Sequence, residues 1–277
     1  MIWRGVITAL DPVARYRSRI ALYQHPFAGR PVLWHVISAV CGVDPAPDSI
    51  TILHRADAPM SLPPNPAVPI EARSVEPGDE PAAVRRALGT AETLMLVDGR
   101  APLVTSSSLL RMLRAAGDGV AALGDTRESP AAVAVAGEGV ALAALDDPLL
   151  PEGIALLATV EDGESIRIDD RASFTRAALL MRDRIVRRHQ ERGVSFLLPD
   201  TNWIEVDVTI GSDTMIYPGV ILEGMTEVGS ECVIGPHSRV LESRVGRGVE
   251  LRGWNYVTHT SIRNHAVLEP FVRRGYE

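Results

Sequence analysis

An apolar residue recurs at every sixth position through much of the last third of the chain, and this period restricts the fold more than any other feature. The spacing is six from Ile204 to Val240 and shortens by one residue before Val245 and again before Ile262. Period six fits neither an amphipathic helix nor an alternating strand. It is typical of a triangular solenoid whose repeats each supply one short strand and one corner. The series is Ile204, Ile210, Ile216, Leu222, Val228, Ile234, Val240, Val245, Leu251, Val257, Ile262 and Leu268.

These hexapeptide repeats predict a short left-handed parallel β-helix over residues 196–277, with the apolar residue of each repeat inside the prism. At three repeats per coil the series makes about four coils. A linker helix is predicted over residues 169–195, with Asp170 as its cap and Gly193 as its stop. We interpret the arginine-rich outer face of this helix as solvated surface.

The sequence of residues 1–168 indicates a different kind of domain, because short β-rich segments alternate with segments of helical character. This alternation predicts an α/β domain with a mostly parallel sheet covered on both faces. A hairpin is predicted to turn at residues 137–139. The predicted strands are 5–10, 49–54, 68–75 and 93–97, and the predicted helices are 30–40, 80–88 and 105–117.

The composition indicates which kinds of binding partner and which cellular compartment to expect. The formal net charge is -7, which argues against nucleic acid or an anionic membrane surface as a partner. All 28 basic residues are arginine, so no lysine can contact a phosphate.

Two cysteines, Cys41 and Cys232, imply no disulfide framework. The start of the chain lacks signal-peptide character, and no apolar run approaches the roughly 20 residues that span a bilayer. We expect a cytoplasmic protein.

Three segments resemble a known bacterial family. Residues 25–36, HPFAGRPVLWHV, are similar to the family stretch HxLAGxxMLxHV. Residues 97–103, VDGRAPL, are similar to the strand end GDxPL, and residues 204–246 are nearly the family consensus for the first coils. The family is the bifunctional N-acetylglucosamine-1-phosphate uridyltransferase/glucosamine-1-phosphate acetyltransferase. The resemblance implies a Rossmann-like nucleotidyltransferase lobe, a left-handed β-helix and a homotrimer.

The chain departs from this family where the chemistry is expected. The family's glycine-rich phosphate loop is replaced by residues 8–16, in which both glycines are lost, Pro12 removes an amide donor and only Arg15 is kept. The family lysine aligns with Leu22, and the GTxHA loop aligns with residues 78–82. The acetyl-transfer residues of later coils have no counterpart after residue 274, so no acetyltransferase site is expected.

The metal-binding aspartate of the family aligns with Arg100. A cation at this position repels Mg²⁺, by about 4 kcal/mol for each unit-charge pair at 4 Å and an effective dielectric of about 20. Asp98 could take over the metal-binding role only through a bulge at the strand end. We expect no cofactor, and Mg²⁺ only if nucleotidyl transfer survives. The resemblance suggests Arg15, His25, Gly99 and Arg100 as sugar-phosphate or nucleotide contacts.

The sequence allows two roles for Arg100. Arg15 and Arg100 could hold a phosphate without metal, as planar guanidinium groups can. Alternatively, Arg100 pairs with Asp79 or Glu80 across an empty crevice. Trp254 is interpreted as an intersubunit or capping contact, with a ligand platform as the alternative.

The sequence is therefore compatible with three classes of function. The first is a sugar-1-phosphate nucleotidyltransferase of the UDP-N-acetylglucosamine pyrophosphorylase type, with catalysis impaired or lost. The second is a non-catalytic sensor, or pseudoenzyme, that binds a sugar nucleotide or a phosphorylated sugar. The third is a trimeric scaffold or partner subunit.

Overall fold

The computed structural model describes residues 2–12, 16–58, 60, 62, 68–88, 93–117, 119–124, 130–136, 155–157, 159 and 161–275. The chain divides into two compact units, Met1–Ala177 and Ala178–Glu277. Among the described residues, no helix combines the length and apolar character needed to cross a bilayer.

The first unit contains a seven-stranded sheet. Strands β1, β4, β5 and β6 pair in parallel, and β8 runs antiparallel to β6 and β7. The order across the sheet is β5-β4-β1-β6-β8-β7-β9. These strands are β1 (Arg4–Ala9), β4 (Ser49–Arg55), β5 (Ile70–Val75), β6 (Thr93–Asp98), β7 (Val120–Leu123), β8 (Ala132–Ala136) and β9 (Ala155–Leu157), and a separate short hairpin contains β2 (Pro26–Phe27) and β3 (Arg30–Pro31).

Helices pack on both faces of this sheet. The helices of the first unit are α1 (Val32–Cys41), α2 (Glu80–Leu88) and α3 (Ser106–Ala116). Val36 of α1 and Leu109 of α3 share the larger buried cluster with Ile7 of β1. Ala83 of α2 lies in a second cluster, on the other side, with Val6 of the same strand. The predicted α/β architecture is confirmed, and its four predicted strands and three predicted helices match observed elements. The hairpin predicted at 137–139 falls outside the described residues.

Helix α4 (Arg171–Gln190) spans the boundary between the two units in sequence. Ser173 N donates to Asp170 Oδ1 at 2.7 Å, so Asp170 caps the helix as predicted. The observed helix is shorter at both ends than the predicted range 169–195.

The second unit contains three sheets of very short parallel strands. Successive strands enter the three sheets in strict rotation, in the orders β10-β13-β16-β19-β22, β11-β14-β17-β20-β23 and β12-β15-β18-β21. We call Ser195–Gly275 the three-sheet region. Its strands are β10 (Ser195–Phe196), β11 (Trp203–Ile204), β12 (Thr209–Ile210), β13 (Met215–Ile216), β14 (Ile221–Glu223), β15 (Glu227–Val228), β16 (Val233–Ile234), β17 (Arg239–Leu241), β18 (Arg244–Val245), β19 (Glu250–Leu251), β20 (Tyr256–Thr258), β21 (Ser261–Ile262), β22 (Val267–Leu268) and β23 (Arg273–Gly275).

All twelve apolar residues of the six-residue series are buried, with at most 8% of each residue exposed. The nine from Ile204 to Leu251 each pair with the member of the series one full turn later, as Ile216 does with Ile234 and Ile234 with Leu251. The one-residue slips in the sequence correspond to turns of 17 residues instead of 18. This arrangement is compatible with the predicted β-helix.

Trp254 belongs to a row of three stacked rings at one corner of the three-sheet region. Its ring centroid lies 5.6 Å from that of His237 and 5.6 Å from that of Phe271. All three residues have positive φ angles, of 55°, 51° and 65° along the chain. Half of Trp254 and 72% of Phe271 stay exposed.

His189, in the last turn of α4, is a buried imidazole. Only 1% of the residue is exposed, and neither ring nitrogen has a hydrogen-bond partner within the described part of the chain. Burial, together with the charges of Arg188 and Arg192, lowers the pKa of His189 to about 4 from its ordinary 6.5. His189 is therefore neutral in the native state at neutral pH.

We expect His189→Leu to reduce the acid sensitivity of the protein. Because the native pKa lies below the unfolded one, the stabilisation is complete above pH 6.5 and is lost as the pH falls toward 4. Between pH 8 and pH 5 the native protein should lose about 2 kcal/mol through this residue. Denaturant unfolding at the two pH values measures the difference, with Gln190→Leu as the matched control. An equal loss in His189→Leu and the native protein would contradict this assignment.

Candidate functional site

The candidate site lies at the carboxyl ends of two adjacent parallel strands. Strands β1 and β6 pair side by side up to Thr8 and Asp98. Asp11 follows the end of β1, and Gly99 and Arg100 follow the end of β6. In open α/β sheets, ligands bind outside this edge.

Arg100 is held there by three aspartates. Its Nη2 donates to Asp98 Oδ2 at 2.7 Å and its Nε donates to Asp98 Oδ1 at 3.0 Å. Its Nη1 donates to Asp169 Oδ1 at 2.7 Å, and its Nε lies 3.2 Å from Asp11 Oδ2. The backbone N–H of Arg100 also donates to Asp98 Oδ1, at 2.9 Å. The guanidinium group thus forms the centre of a carboxylate cluster.

This cluster is largely removed from water. The side chains of Arg100, Asp98 and Asp11 are each 14% exposed. Burial lowers the pKa of Arg100, but the hydrogen bond and charge of Asp98 and the charge of Asp11 outweigh it and raise the pKa above its ordinary value. Arg100 therefore remains a cation at every physiological pH.

Two further side chains border the cluster. The Tyr23 hydroxyl donates to Asp11 Oδ2 at 2.7 Å, and burial and the charges of Asp11 and Asp98 raise the pKa of Tyr23 well above its usual range. Arg167 Nη1 lies 3.6 Å from Asp98 Oδ2. Among the described residues, three carboxylates thus face two guanidinium groups, and these groups together carry no net positive charge to attract a phosphate.

The residues present do not fit a magnesium ion. Arg100 is already ion-paired with Asp98 and Asp11, and a divalent cation beside it would be repelled by the guanidinium charge. Across the described residues, no group of three or more His, Cys, Asp or Glu side chains is arranged to hold a metal ion. The three carboxylates form ion pairs with Arg100 instead.

Gly99 has a packing role at this site. Its N–H donates to Thr8 O at 2.9 Å, so the backbone after β6 lies close to the backbone of β1. A Cβ at this position would lie 2.5 Å from Thr8 O and 3.1 Å from the Tyr23 ring. The absence of a side chain is therefore what permits the turn after β6.

His25 contacts Ser18 and Tyr16, and no contact with the Arg100 cluster is seen among the described residues. Its Nε2 lies 2.9 Å from Ser18 Oγ, and its ring meets the edge of Tyr16 at a centroid distance of 4.8 Å. Burial and the charge of Arg171 lower the pKa of His25. Arg15, the remaining candidate from the sequence, lies outside the described residues.

The pairing of Arg100 with Asp79 or Glu80 considered from the sequence is wrong. Asp79 pairs with Arg86, and Glu80 lies 3.6 Å from Arg55. Sequence reasoning missed Asp11 and Asp169 as partners. Asp11 could have been found, because it follows a strand predicted to lie parallel to the strand that ends at Asp98. Asp169 lies 69 residues from Arg100, and no local pattern connects them.

No protein-family model matches the chain. By sequence the chain is similar to several bacterial proteins that carry the name Bifunctional protein GlmU. Bifunctional protein GlmU from Caldanaerobacter subterraneus is 39% identical over 112 residues, which is 40% of this chain and 24% of that protein. GlmU from Bacillus velezensis is 35% identical over 121 residues, or 44% of this chain and 26% of that protein.

The chain thus spans about a quarter of the length of the curated relatives it matches. Within that stretch, the resemblance predicted from the sequence is confirmed.

Solved structures give more distant matches. A nucleotidyl transferase from Methanothermobacter has a TM-score of 0.49 and 17% identity, covering 68% of this chain and 99% of that one. The 4-diphosphocytidyl-2C-methyl-D-erythritol synthase from Anaerococcus prevotii has a TM-score of 0.47 and 14% identity, covering 65% of this chain and 98% of that one. With TM-scores below 0.5, these likenesses carry no functional assignment.

Proposed function

We propose that the chain is a sugar-1-phosphate nucleotidyltransferase-like protein, of the UDP-N-acetylglucosamine pyrophosphorylase type, that has lost nucleotidyl transfer. Its ligand is a sugar nucleotide or a phosphorylated sugar, bound at the carboxyl ends of the sheet. The observation that carries this proposal is the enclosure of Arg100 by Asp11, Asp98 and Asp169.

The reason is electrostatic. In-line phosphoryl transfer depends on positioning and on neutralising the charge that develops on the phosphate oxygens, commonly by a metal ion and basic side chains. Here the carboxylates at the strand ends are already bound to Arg100, and they outnumber the nearby guanidinium groups. Leu22 stands where the family has its lysine, and Mg²⁺ has no place beside Arg100.

A direct assay tests the loss of transfer. The protein is incubated with UTP, N-acetylglucosamine 1-phosphate and Mg²⁺, and pyrophosphate release is measured beside a full-length bifunctional GlmU as positive control. We expect no release above the rate without protein. Release that disappears in Asp98→Asn would overturn the proposal and assign Asp98 a catalytic role.

A second candidate function, assembly as a scaffold or partner subunit, is supported by the surface of the three-sheet region. Met215, Val233 and Val267 occupy equivalent outward positions on the sheet that begins with β10, and they are 36%, 37% and 50% exposed. Met215 and Val233 are direct neighbours across this sheet, and Glu250 lies between Val233 and Val267. Neighbouring exposed apolar residues are a feature of association sites. We propose a left-handed hexapeptide β-helix that associates as a homotrimer through this face.

We expect Val233→Glu to weaken self-association by at least tenfold in dissociation constant, because a buried unpaired charge is costly at an interface. Analytical ultracentrifugation over a concentration series measures the effect. Ser261→Glu, an exposed position on another of the three sheets, is the matched control. A native protein that sediments as a monomer throughout would refute the trimer.

The proposed compartment is the cytoplasm, and nucleic acid is not a proposed partner. Cys41 and Cys232 are both free thiols, which is consistent with a reducing environment.

A further inference from the structure

The three carboxylates around Arg100 hold it unequally. Asp98 engages Nε, Nη2 and the backbone N–H, and its side chain is 14% exposed. Asp169 accepts from Arg100 at Nη1, at 2.7 Å, and its side chain is 40% exposed. Since exposed ion pairs are worth less than enclosed ones, Asp169 is the partner that an incoming ligand displaces most readily.

Asp169 lies in a short segment that is attached to Arg100 twice. The backbone N–H of Ile168 donates to Arg100 O at 2.9 Å, while the Asp169 carboxylate accepts from Arg100 Nη1. The same segment begins helix α4, because Asp169 N and Asp170 N both donate to Ser173 Oγ, at 3.0 and 2.9 Å. A change at the Asp169–Arg100 contact therefore reaches the start of α4.

We propose that Asp169 is a built-in competitor for an anion site on Arg100, and that the ligand's phosphate group binds Nη1 by displacing it. A planar guanidinium group is well suited to bind a phosphate oxygen without metal. Once Asp169 has left, Asp11 and Asp98 face Arg100 and Arg167, so the local charge no longer repels the anion. The competition rests on the proposed function, because it takes the lobe to bind a phosphorylated ligand.

Removal of the Asp169 charge should strengthen anion binding. Calorimetric titration with inorganic pyrophosphate in EDTA compares the native protein with Asp169→Asn, and Asp162→Asn, an exposed aspartate in the same stretch, is the matched control. We expect up to about fivefold tighter binding for Asp169→Asn, which corresponds to the loss of one partly exposed ion pair, and no change for the control. The double variant Asp169→Asn, Arg100→Leu should lose the gain.

Several outcomes would overturn the competition. Equal affinity in the native protein and Asp169→Asn, no binding by either, or a gain that persists without Arg100 would each do so. Transfer activity in the pyrophosphate-release assay would instead refute the proposed function and leave the comparison of affinities standing.

Hydrogen exchange gives a second readout that a purely local charge effect would not move. Pyrophosphate added to the native protein should increase exchange at the amides of Ile168 and Asp169, since the displaced segment loses its attachment to Arg100. Unchanged or slower exchange at these amides, with the site saturated, would show that Asp169 stays in place and would contradict the proposal.

Discussion

Arg100→Leu should lower the free energy of unfolding by about 3 kcal/mol, the usual cost of removing one partner from an enclosed ion pair. The substitution leaves Asp98 and Asp11, each 14% exposed, beside Asp169 with no guanidinium group between them. The three carboxylates would then repel one another, because they carry like charges at short distance. The loss is measured by denaturant unfolding at neutral pH and compared with that of Arg114→Leu, an exposed arginine on α3.

Two further variants separate charge from packing at Arg100. Arg100→Lys keeps the cation but cannot reach three carboxylates at once, so we expect an intermediate loss. The double variant Arg100→Leu, Asp98→Asn should recover part of the stability, because one of the repelling charges is gone. If Arg100→Leu unfolds at the same denaturant concentration as the native protein, Arg100 does not serve as the cation of the cluster.

Gly99→Ala should cost about 2 to 4 kcal/mol of stability, in the range of overpacked interior positions. The new methyl group would lie 2.5 Å from Thr8 O, 3.1 Å from the Tyr23 ring and 3.3 Å from Leu33. The first of these atoms belongs to the backbone of β1 and cannot rotate away. The turn after β6 must therefore shift, and Arg100 shifts with it.

The matched control is Gly119→Ala, since a Cβ there would come no closer than 3.5 Å to Ala116 O. Denaturant unfolding of both variants measures the difference, and pyrophosphate titration reports whether Arg100 has moved. A Gly99→Ala protein as stable as Gly119→Ala would mean that the close approach to Thr8 is not required.

The elements themselves could be predicted because their signals are local. The six-residue period placed twelve side chains, from Ile204 to Leu268, at buried positions, and all twelve are buried. The four predicted strands of the lobe begin and end within two residues of the observed ones, as Ser49–Arg55 shows for the predicted 49–54, whereas β7 and β9 were not predicted. A period in the sequence reports a repeated local environment, and this is why both kinds of domain were predictable.

The partners of Arg100 could not be predicted in the same way. The replacement of the family aspartate by arginine identified the position, but the choice among carboxylates depends on tertiary packing. Asp79 and Glu80 are taken by Arg86 and Arg55, whereas Asp169 reaches the site from the segment before α4. Alignment gave Gly99 a ligand-binding role, yet the contact with Thr8 that explains its lack of a side chain exists only in the folded sheet.

If Arg100 takes the place of a metal ion, as proposed, ligand binding at this edge of the sheet does not depend on Mg²⁺. Calorimetric titration with UDP-N-acetylglucosamine, once with Mg²⁺ and once with EDTA, tests it most directly. We predict the same binding curve in both buffers. Heat of binding that appears only with Mg²⁺ would contradict the claim and restore a metal-dependent nucleotidyltransferase as the function of the lobe.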